Sequence, residues 1–394
     1  MANLRILTGG ESHGRALVGI VEGMPAGLRI DKKKIDHQLR RRQCGYGRGG
    51  RMKIEWDEVE VISGIRFGIT LGSPITLWIR NRDWENWEKR MDVWRGRESS
   101  PLTVPRPGHA DLAGGIKYDH SDMRNVLERA SARETAMRVA AGSIVRQLLE
   151  EFGIWIASHV IKIHEIGVSK TFLDVCSSDT SRTESKIRSM FDVAEKSELR
   201  FSDSGKEEAA KSIIDKAREA GDTVGGVFEV AALNVPPGLG SYSMWDRRLD
   251  GRIALAVMSI PGIKAVEIGM GFDSTGRFGS EVHDSILKGD GQNLIRPTNR
   301  AGGIEGGVSN GQPIIVRAAM KPIPTLQKGL PSVDMLTGDA VTAHKERSDV
   351  CAVPAASIVG EAMVCIVLGM AFCERFGGDS MKQIRRYFKE HGQR

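Results

Sequence analysis

The chain has 394 residues, 40% of them hydrophobic and 27% charged, with a net charge of +6. That length can bury a sizeable core, and that apolar share excludes a disordered chain. The positive excess permits nucleic-acid contact without arguing for it, because several arginines fall beside glycines rather than along one basic face. The first residues, Met-Ala-Asn-Leu-Arg, lack the apolar stretch of a signal peptide, and no run approaches the length of a membrane span. Cys44, Cys176, Cys351, Cys365 and Cys373 show no disulfide-like spacing. Their odd number points to unpaired thiols in a reducing cytoplasm.

Residues 3–30 alternate short apolar runs with glycines. This predicts strands joined by the loop Gly9-Gly10-Glu11-Ser12-His13-Gly14, whose glycines allow close approach to a ligand. Adjacent Ser12 and His13 cannot easily form a nucleophile–base hydrogen bond, so a serine-hydrolase reading is poor. Residues 31–42 predict a helix with Asp31 near its cap and Arg40-Arg41-Arg42 at its end. From Arg40 to Arg51, arginines supply forked donors for carboxylate or phosphate and glycines supply turns. The rival reading of that segment is an RNA-binding arginine–glycine stretch.

Residues 53–80 return to strand character. Residues 81–100, around Trp84, Trp87 and Trp94, predict a surface helix or loop with partly buried indoles. In Arg106-Pro107-Gly108-His109-Ala110-Asp111, Pro107 and Gly108 aim His109, a side chain suited to proton transfer near neutral pH. Leu127 to Gly142 predicts an unbroken helix continuing to about residue 151, rich in small residues such as Ala130 and Ser131. Arg129 and Arg133, four apart, would share a face and grip one anion.

Residues 170–222 carry no motif that assigns chemistry, and Lys206–Ala220 predicts an exposed amphipathic helix. Strand character returns at 227–232 and 313–317. Gly302 to Gly311 holds five glycines in ten residues, which predicts close backbone approach by a partner or a flat ligand. It is not the dinucleotide fingerprint. Lys321-Pro322-Ile323-Pro324-Thr325 is a stiff segment ending in a hydroxyl. Arg347-Ser348-Asp349 precedes a long, mostly buried helix over 356–376. The scattered histidines show no metal-ligand spacing. Hairpin-like strands with long helices predict an α+β fold rather than regular βαβ units.

Taken in order, these segments resemble the chorismate synthase family. The match rests on Gly-Glu-Ser-His-Gly at 10–14, Arg-Arg-Arg-Gln…Gly-Tyr-Gly-Arg-Gly-Gly-Arg-Met at 40–52 and Arg-Pro-Gly-His-Ala-Asp at 106–111. It continues through Ser-Ala-Arg-Glu-Thr at 131–135, Gly-Gly-Ile-Glu-Gly-Gly at 302–307, Lys-Pro-Ile-Pro-Thr at 321–325 and Glu-Arg-Ser-Asp at 346–349. The resemblance implies a single catalytic domain over 1–394, a β-α-β sandwich with helices packed between antiparallel sheets, and 165–220 as a variable peripheral region. It implies a cytoplasmic homotetramer that contacts neither nucleic acid nor membrane.

The family converts 5-enolpyruvylshikimate 3-phosphate to chorismate and phosphate by 1,4-trans elimination, using reduced FMN. The resemblance therefore implies arginines converging on a substrate with two carboxylates and a phosphate: Arg42, Arg48, Arg106, Arg133 and Arg347. It assigns His13 to the leaving phosphate, His109 to the flavin pyrimidine edge and Asp349 to a proton relay near flavin N5. Ser12 and Ser131 are implied as assisting hydroxyls. Implied flavin contacts are Arg129, Ala130, Ser131, Pro261, Gly262, Gly306, Lys321, Pro322, Ile323, Pro324, Thr325 and Arg347. Pro261-Gly262 stands where many members have Asn-Ala. NADPH enters as an indirect reductant, through a separate flavin reductase or through Arg42 and Arg48. Two other readings are a flavoenzyme with net hydride transfer from NADPH, and an RNA-binding protein using residues 40–51.

Overall fold

The structure is a computed structural model that describes residues 4–49, 56–96, 100–178, 183–289, 294–346 and 348–392. In chain order, its principal elements begin with β1 (Arg5–Gly9), β2 (Ala16–Glu22), α1 (Lys32–Gln43), β3 (Glu60–Val61) and β4 (Ile75–Arg80). There follow α2 (Arg124–Ala130), α3 (Thr135–Glu150), β5 (Trp155–Ile163), β6 (Ile166–Gly167) and β7 (Gly226–Leu233). The last are α4 (Leu249–Met258), β8 (Ile263–Ile268), β9 (Ile314–Met320) and α5 (Val353–Phe376). One four-stranded sheet has the order β1-β2-β4-β3, and a five-stranded sheet has the order β8-β9-β7-β5-β6. Every neighbouring pair in both is antiparallel.

Period-two alternation explains the first sheet. In β4, Ile75, Leu77 and Ile79 are buried while Thr76 and Trp78 on the other face are half-buried. The buried face meets α3, which also packs on α5; α5 in turn lies on β5 and β7. With α1 beside α3 and α4 beside α5, two helical layers stand between two antiparallel sheets. This is the α+β class that the strand and helix pattern predicts and the sandwich that the family resemblance implies. Close packing of the central helices needs small residues: a Cβ at Gly142 of α3 would sit 2.8 Å from the Ala362 Cβ of α5.

The expectation that no run approaches membrane length is corrected by α5. It is 24 residues long with a mean hydropathy of 2.1 over its most apolar window, apolar enough to cross a membrane by composition. Most of it is buried inside the fold, and it serves as the central core helix.

The interior also holds a charged knot. Glu361 of α5 accepts from Arg41 at 2.7 and 2.9 Å, from Arg146 at 2.6 Å and from Ser158 at 2.6 Å. Arg41 also pairs with Glu195 at 2.6 Å, and Glu195 contacts Arg200. Burial opposes ionisation of Glu361, but the surrounding guanidiniums outweigh it and pull its carboxyl down to about 2. Glu195 and Arg200 lie within the segment that carried no motif. That segment also brings Phe172, Val175 and Ile187 against Ala231, Leu233 and Ile315 in a second small core.

The helix expected without a break from Leu127 is broken at Ser131. Its backbone is extended (φ −65°, ψ 142°), and its Oγ accepts the Arg133 N–H at 3.3 Å. A serine hydroxyl offers the backbone a partner that a helix interior does not, so α2 stops and a short 3-10 turn (Ala132–Glu134) leads into α3. The indoles after β4 also divide. Trp84 and Trp87 are half-buried, as expected, whereas Trp94 is 90% exposed.

Candidate active site

The loop after β1 meets the end of α2. His13 donates its backbone N–H to Glu128 Oε2 at 2.7 Å, and its Nδ1 lies 2.8 Å from Glu128 Oε1. Trp87 stacks on the imidazole at 4.0 Å with 21° between planes. Ser131 Oγ donates to Ser12 Oγ at 3.2 Å, so the two expected hydroxyls touch. Asn81, at the end of β4, ties the loop down by donating to Gly14 O at 2.7 Å.

Arg129 and Arg133 do not share one helix face, which corrects the expectation from their spacing. The break at Ser131 turns them apart. Arg129 reaches Thr8 Oγ1 on β1 at 2.9 Å. Arg133 is buried, with Nε on Asn81 Oδ1 at 2.9 Å and Nη1 on Asp57 Oδ1 at 2.6 Å. Arg42, from the end of α1, takes the other oxygen of Asp57 at 3.0 Å. Two buried guanidiniums thus share one carboxylate. Burial lowers the Arg42 pKa, and the charges of Arg133 and Arg48 lower it further against the pull of Asp57. Like charge thus adds to the cost of burying Arg42, and an anion bound there would offset it.

A second cluster forms around the next histidine. Arg106 binds Asp111 at 2.8 Å through Nε, and its Nη1 donates to Thr325 Oγ1 at 2.9 Å. His109 Nδ1 lies 2.5 Å from Asp111 Oδ1 and 3.0 Å from Arg106 Nη2. Burial would push the Asp111 carboxyl up, but hydrogen bonds from His109 and Arg106 hold it well below the usual carboxylate range. Lys321 Nζ donates to Gly108 O at 2.5 Å, just before His109. Partial burial and the like charge of Lys264 lower the Lys321 pKa. Pro324 lies against Gly108, where a Cβ would come 3.3 Å from the Pro324 Cβ. The Ile323 carbonyl accepts from Thr223 at 2.7 Å, and Pro322 between them is exposed.

The third cluster joins residues 300 apart. Asp349 takes Arg48 Nη1 at 2.5 Å and the Gly49 N–H at 2.6 Å. Gly47, with φ +84°, lies against Cys351, where a Cβ would come 3.1 Å from the Cys351 Cβ. Ser348 Oγ donates to Thr325 O at 2.8 Å, which ties this cluster to the second. Arg347 lies outside the described residues.

Contacts and chain neighbours link these clusters to one another. From Arg133 the path runs to Glu134, which pairs with Arg138 at 2.9 Å, and Arg138 donates to Ser259 Oγ at 2.7 Å. Pro261-Gly262 follows, and Gly262 O accepts the Lys321 N–H at 2.9 Å. From Lys321 the path continues through Gly108, His109, Arg106, Thr325, Ser348, Asp349 and Arg48, and the Arg48 charge acts on Arg42. Arg42 returns to Arg133 through Asp57. Ala130 is half-buried at the end of α2, beside Ser131.

Gly306 lies in a hairpin of its own, where a Cβ would meet nothing within 4 Å. It is the first of two positive-φ glycines, Gly306 and Gly307, that turn a hairpin of Ile304–Glu305 and Val308–Ser309. Beside it, Gly307 O accepts from Leu249 at 2.9 Å, and Val308 pairs with Gly240. Among the described residues, no group of three or more His, Cys, Asp or Glu is placed to hold a metal ion.

Sequence reasoning missed Asp57, Asn81, Glu128 and Trp87 as parts of the site. Each acts through a partner distant in sequence, up to 115 residues for Glu128 and His13. Asp111 had a local signal, because it lies two residues after His109.

Comparison with known proteins places this geometry. The family model described as chorismate synthase matches residues 4–373. A chorismate synthase of Aquifex aeolicus (strain VF5) is 55% identical over 391 residues, covering 98% of this chain and 97% of that one. One from Sulfurihydrogenibium sp. (strain YO3AOP1) is 53% identical over 394 residues, covering 99% and 98%. A crystal structure of chorismate synthase superimposes with a TM-score of 0.79 at 46% identity, covering 99% of this chain and 97% of that one. With a family match over nearly its whole length and relatives this close, the chain belongs to the chorismate synthase family.

Proposed function

We propose that this chain, as one catalytic domain, converts 5-enolpyruvylshikimate 3-phosphate to chorismate and phosphate with reduced FMN bound. It is a carbon–oxygen lyase of the shikimate pathway. Family membership supports the reaction. The single structural observation that carries the reading is Asp57 shared between the buried Arg42 and Arg133. Buried guanidiniums crowded together in this way suit a substrate with two carboxylates and a phosphate. Arg48, Arg106 and Arg347 are proposed to complete that set.

The residues fit a flavin. Lys264 and Lys321 place two ammonium groups within electrostatic reach of one another beside the His109 loop. The proposed holding groups are Arg129, Ala130, Ser131, Pro261, Gly262, Lys321 to Thr325, Arg347 and the Gly306 hairpin. When bound, reduced FMN supplies electron density that helps expel phosphate and a site for the hydrogen lost from C6. His13 is proposed to hold a proton for the departing phosphate, with Ser12 and Ser131 assisting. His109 is proposed to face the flavin pyrimidine edge, where Asp111 orients it. Asp349 is proposed to relay a proton. NADPH is proposed as the indirect source of reducing equivalents, through a reductase or through contacts at Arg42 and Arg48. A cytoplasmic homotetramer is the proposed working form.

The test is anaerobic turnover of 5-enolpyruvylshikimate 3-phosphate with chemically reduced FMN. Equal yields of chorismate and phosphate with no net flavin oxidation are expected. Folded protein that binds FMN yet gives no product would sink the proposal and favour a flavin enzyme with net hydride transfer.

A further inference from the structure

We propose that Glu128 is a positioning residue that fixes the tautomer and charge of His13, an inference that rests on the lyase reading above. Both oxygens of Glu128 are committed to His13, one to the backbone N–H and one to Nδ1. The carboxyl is buried, with 2% of its side chain exposed. Burial would raise it, but the hydrogen bonds from His13 and the Arg124 charge hold it below its ordinary value. A buried carboxylate on Nδ1 keeps the proton there in both states of the ring. Nε2 is then the nitrogen that gains and loses a proton. In the reaction the proton passes from Nε2 to an oxygen of the leaving phosphate, Nδ1 keeps its hydrogen, and Glu128 stays ionised.

Several charged groups of the described residues stand around this pair. Arg124 Nη1 lies 3.5 Å from Glu128 Oε1 and stacks its guanidinium 5.1 Å over Trp87. Arg90 approaches the same indole at 5.7 Å. Arg129 stands on Thr8 and Gly10, and Glu11 flanks Gly14 within the loop. Glu128 is a carboxylate bonded directly to the ring. Removing its charge takes an anion away from the imidazolium, whereas removing Arg124 takes away a cation.

The experiment compares wild type, Glu128→Gln and Arg124→Gln in anaerobic turnover across pH. Glu128→Gln should lower kcat about 10- to 100-fold with KM near wild type. It should also move the alkaline limb of the kcat profile to lower pH by about one unit. Arg124→Gln should move that limb to higher pH. A readout independent of turnover is the fluorescence of Trp87, taken as the difference from Trp87→Phe. A stacked imidazolium quenches the indole, so its titration reports His13 and should vanish in His13→Gln. The titration should shift in the same directions as the kcat limb.

Loss of activity in Glu128→Gln with both pH profiles unmoved means a merely structural role and overturns the proposal. If Glu128→Gln does not fold, Arg124→Gln decides alone, and an unmoved titration there overturns it too. If wild type gives no product, the lyase reading fails, while the Trp87 titration still tests the pair.

Discussion

Arg42 and Arg133 differ from Arg129 in where their charge goes. The first two converge on Asp57 inside the fold, and Arg129 binds neutral oxygens of β1. A guanidinium buried inside the fold meets an anion with little screening, whereas one on surface carbonyls is mostly screened by water. The His13 loop touches both environments: Gly10 O accepts from Arg129, and Asn81 bonds both Gly14 O and Arg133. His13→Ala is expected to lower kcat by a factor of about 10²–10³, the usual loss for one electrostatic contact to a leaving group. Near-full turnover in that variant would remove His13 from the reaction.

At the scale of elements, the decisive event is the interruption between α2 and α3. Ser131 ends one helix and caps the next turn, which sends Arg133 inward and leaves Ser131 Oγ on Ser12. Helix propensity alone favours continuing through Ala130, Ser131 and Ala132; a hydroxyl that bonds the backbone overrides it. Behind the break, α3 is pinned to α5 through Gly142. Gly142→Val would drive a side chain into Ala362. It is expected to cost about 1–3 kcal/mol of unfolding free energy, as overpacking does, read by urea denaturation. Unchanged stability would mean that the two helices can separate without loss.

Across the whole molecule, the charged knot and the buried thiols have consequences in solution. Glu361 is held at about 2, below the ordinary carboxylate value of 4.5. Its folded value is depressed, so its contribution is fully present above the unfolded value and is lost as pH falls toward the folded one. Stability is therefore expected to drop as pH falls from about 4.5 toward 2. In Glu361→Gln that part of the acid dependence should be missing from thermal unfolding curves. Cys176, Cys351 and Cys373 are pushed up to about 12 and Cys365 to about 11, each chiefly by burial, while Cys44 is exposed. One thiol, Cys44, is expected to react quickly with a thiol reagent in the native protein and all five after denaturation. Rapid native labelling of several would show that the core opens.

The sequence by itself determined the α+β class, the long core helix ending at Phe376 and the loops that carry His13, His109 and Asp349. Hydrophobic period, glycine placement and motif order are local properties, readable residue by residue. Only the tertiary structure decided which charges meet. Asp57 joins Arg42 to Arg133, Glu128 reaches His13, and Asp349 reaches Arg48 across 301 positions. Buried ion pairs form where desolvation makes an unpaired charge costly, and burial depends on how the layers close over one another rather than on any window of the chain. For the same reason the spacing of Arg129 and Arg133 misled. The periodicity of a helix places two side chains on one face only while the helix continues, and a single hydroxyl ended it.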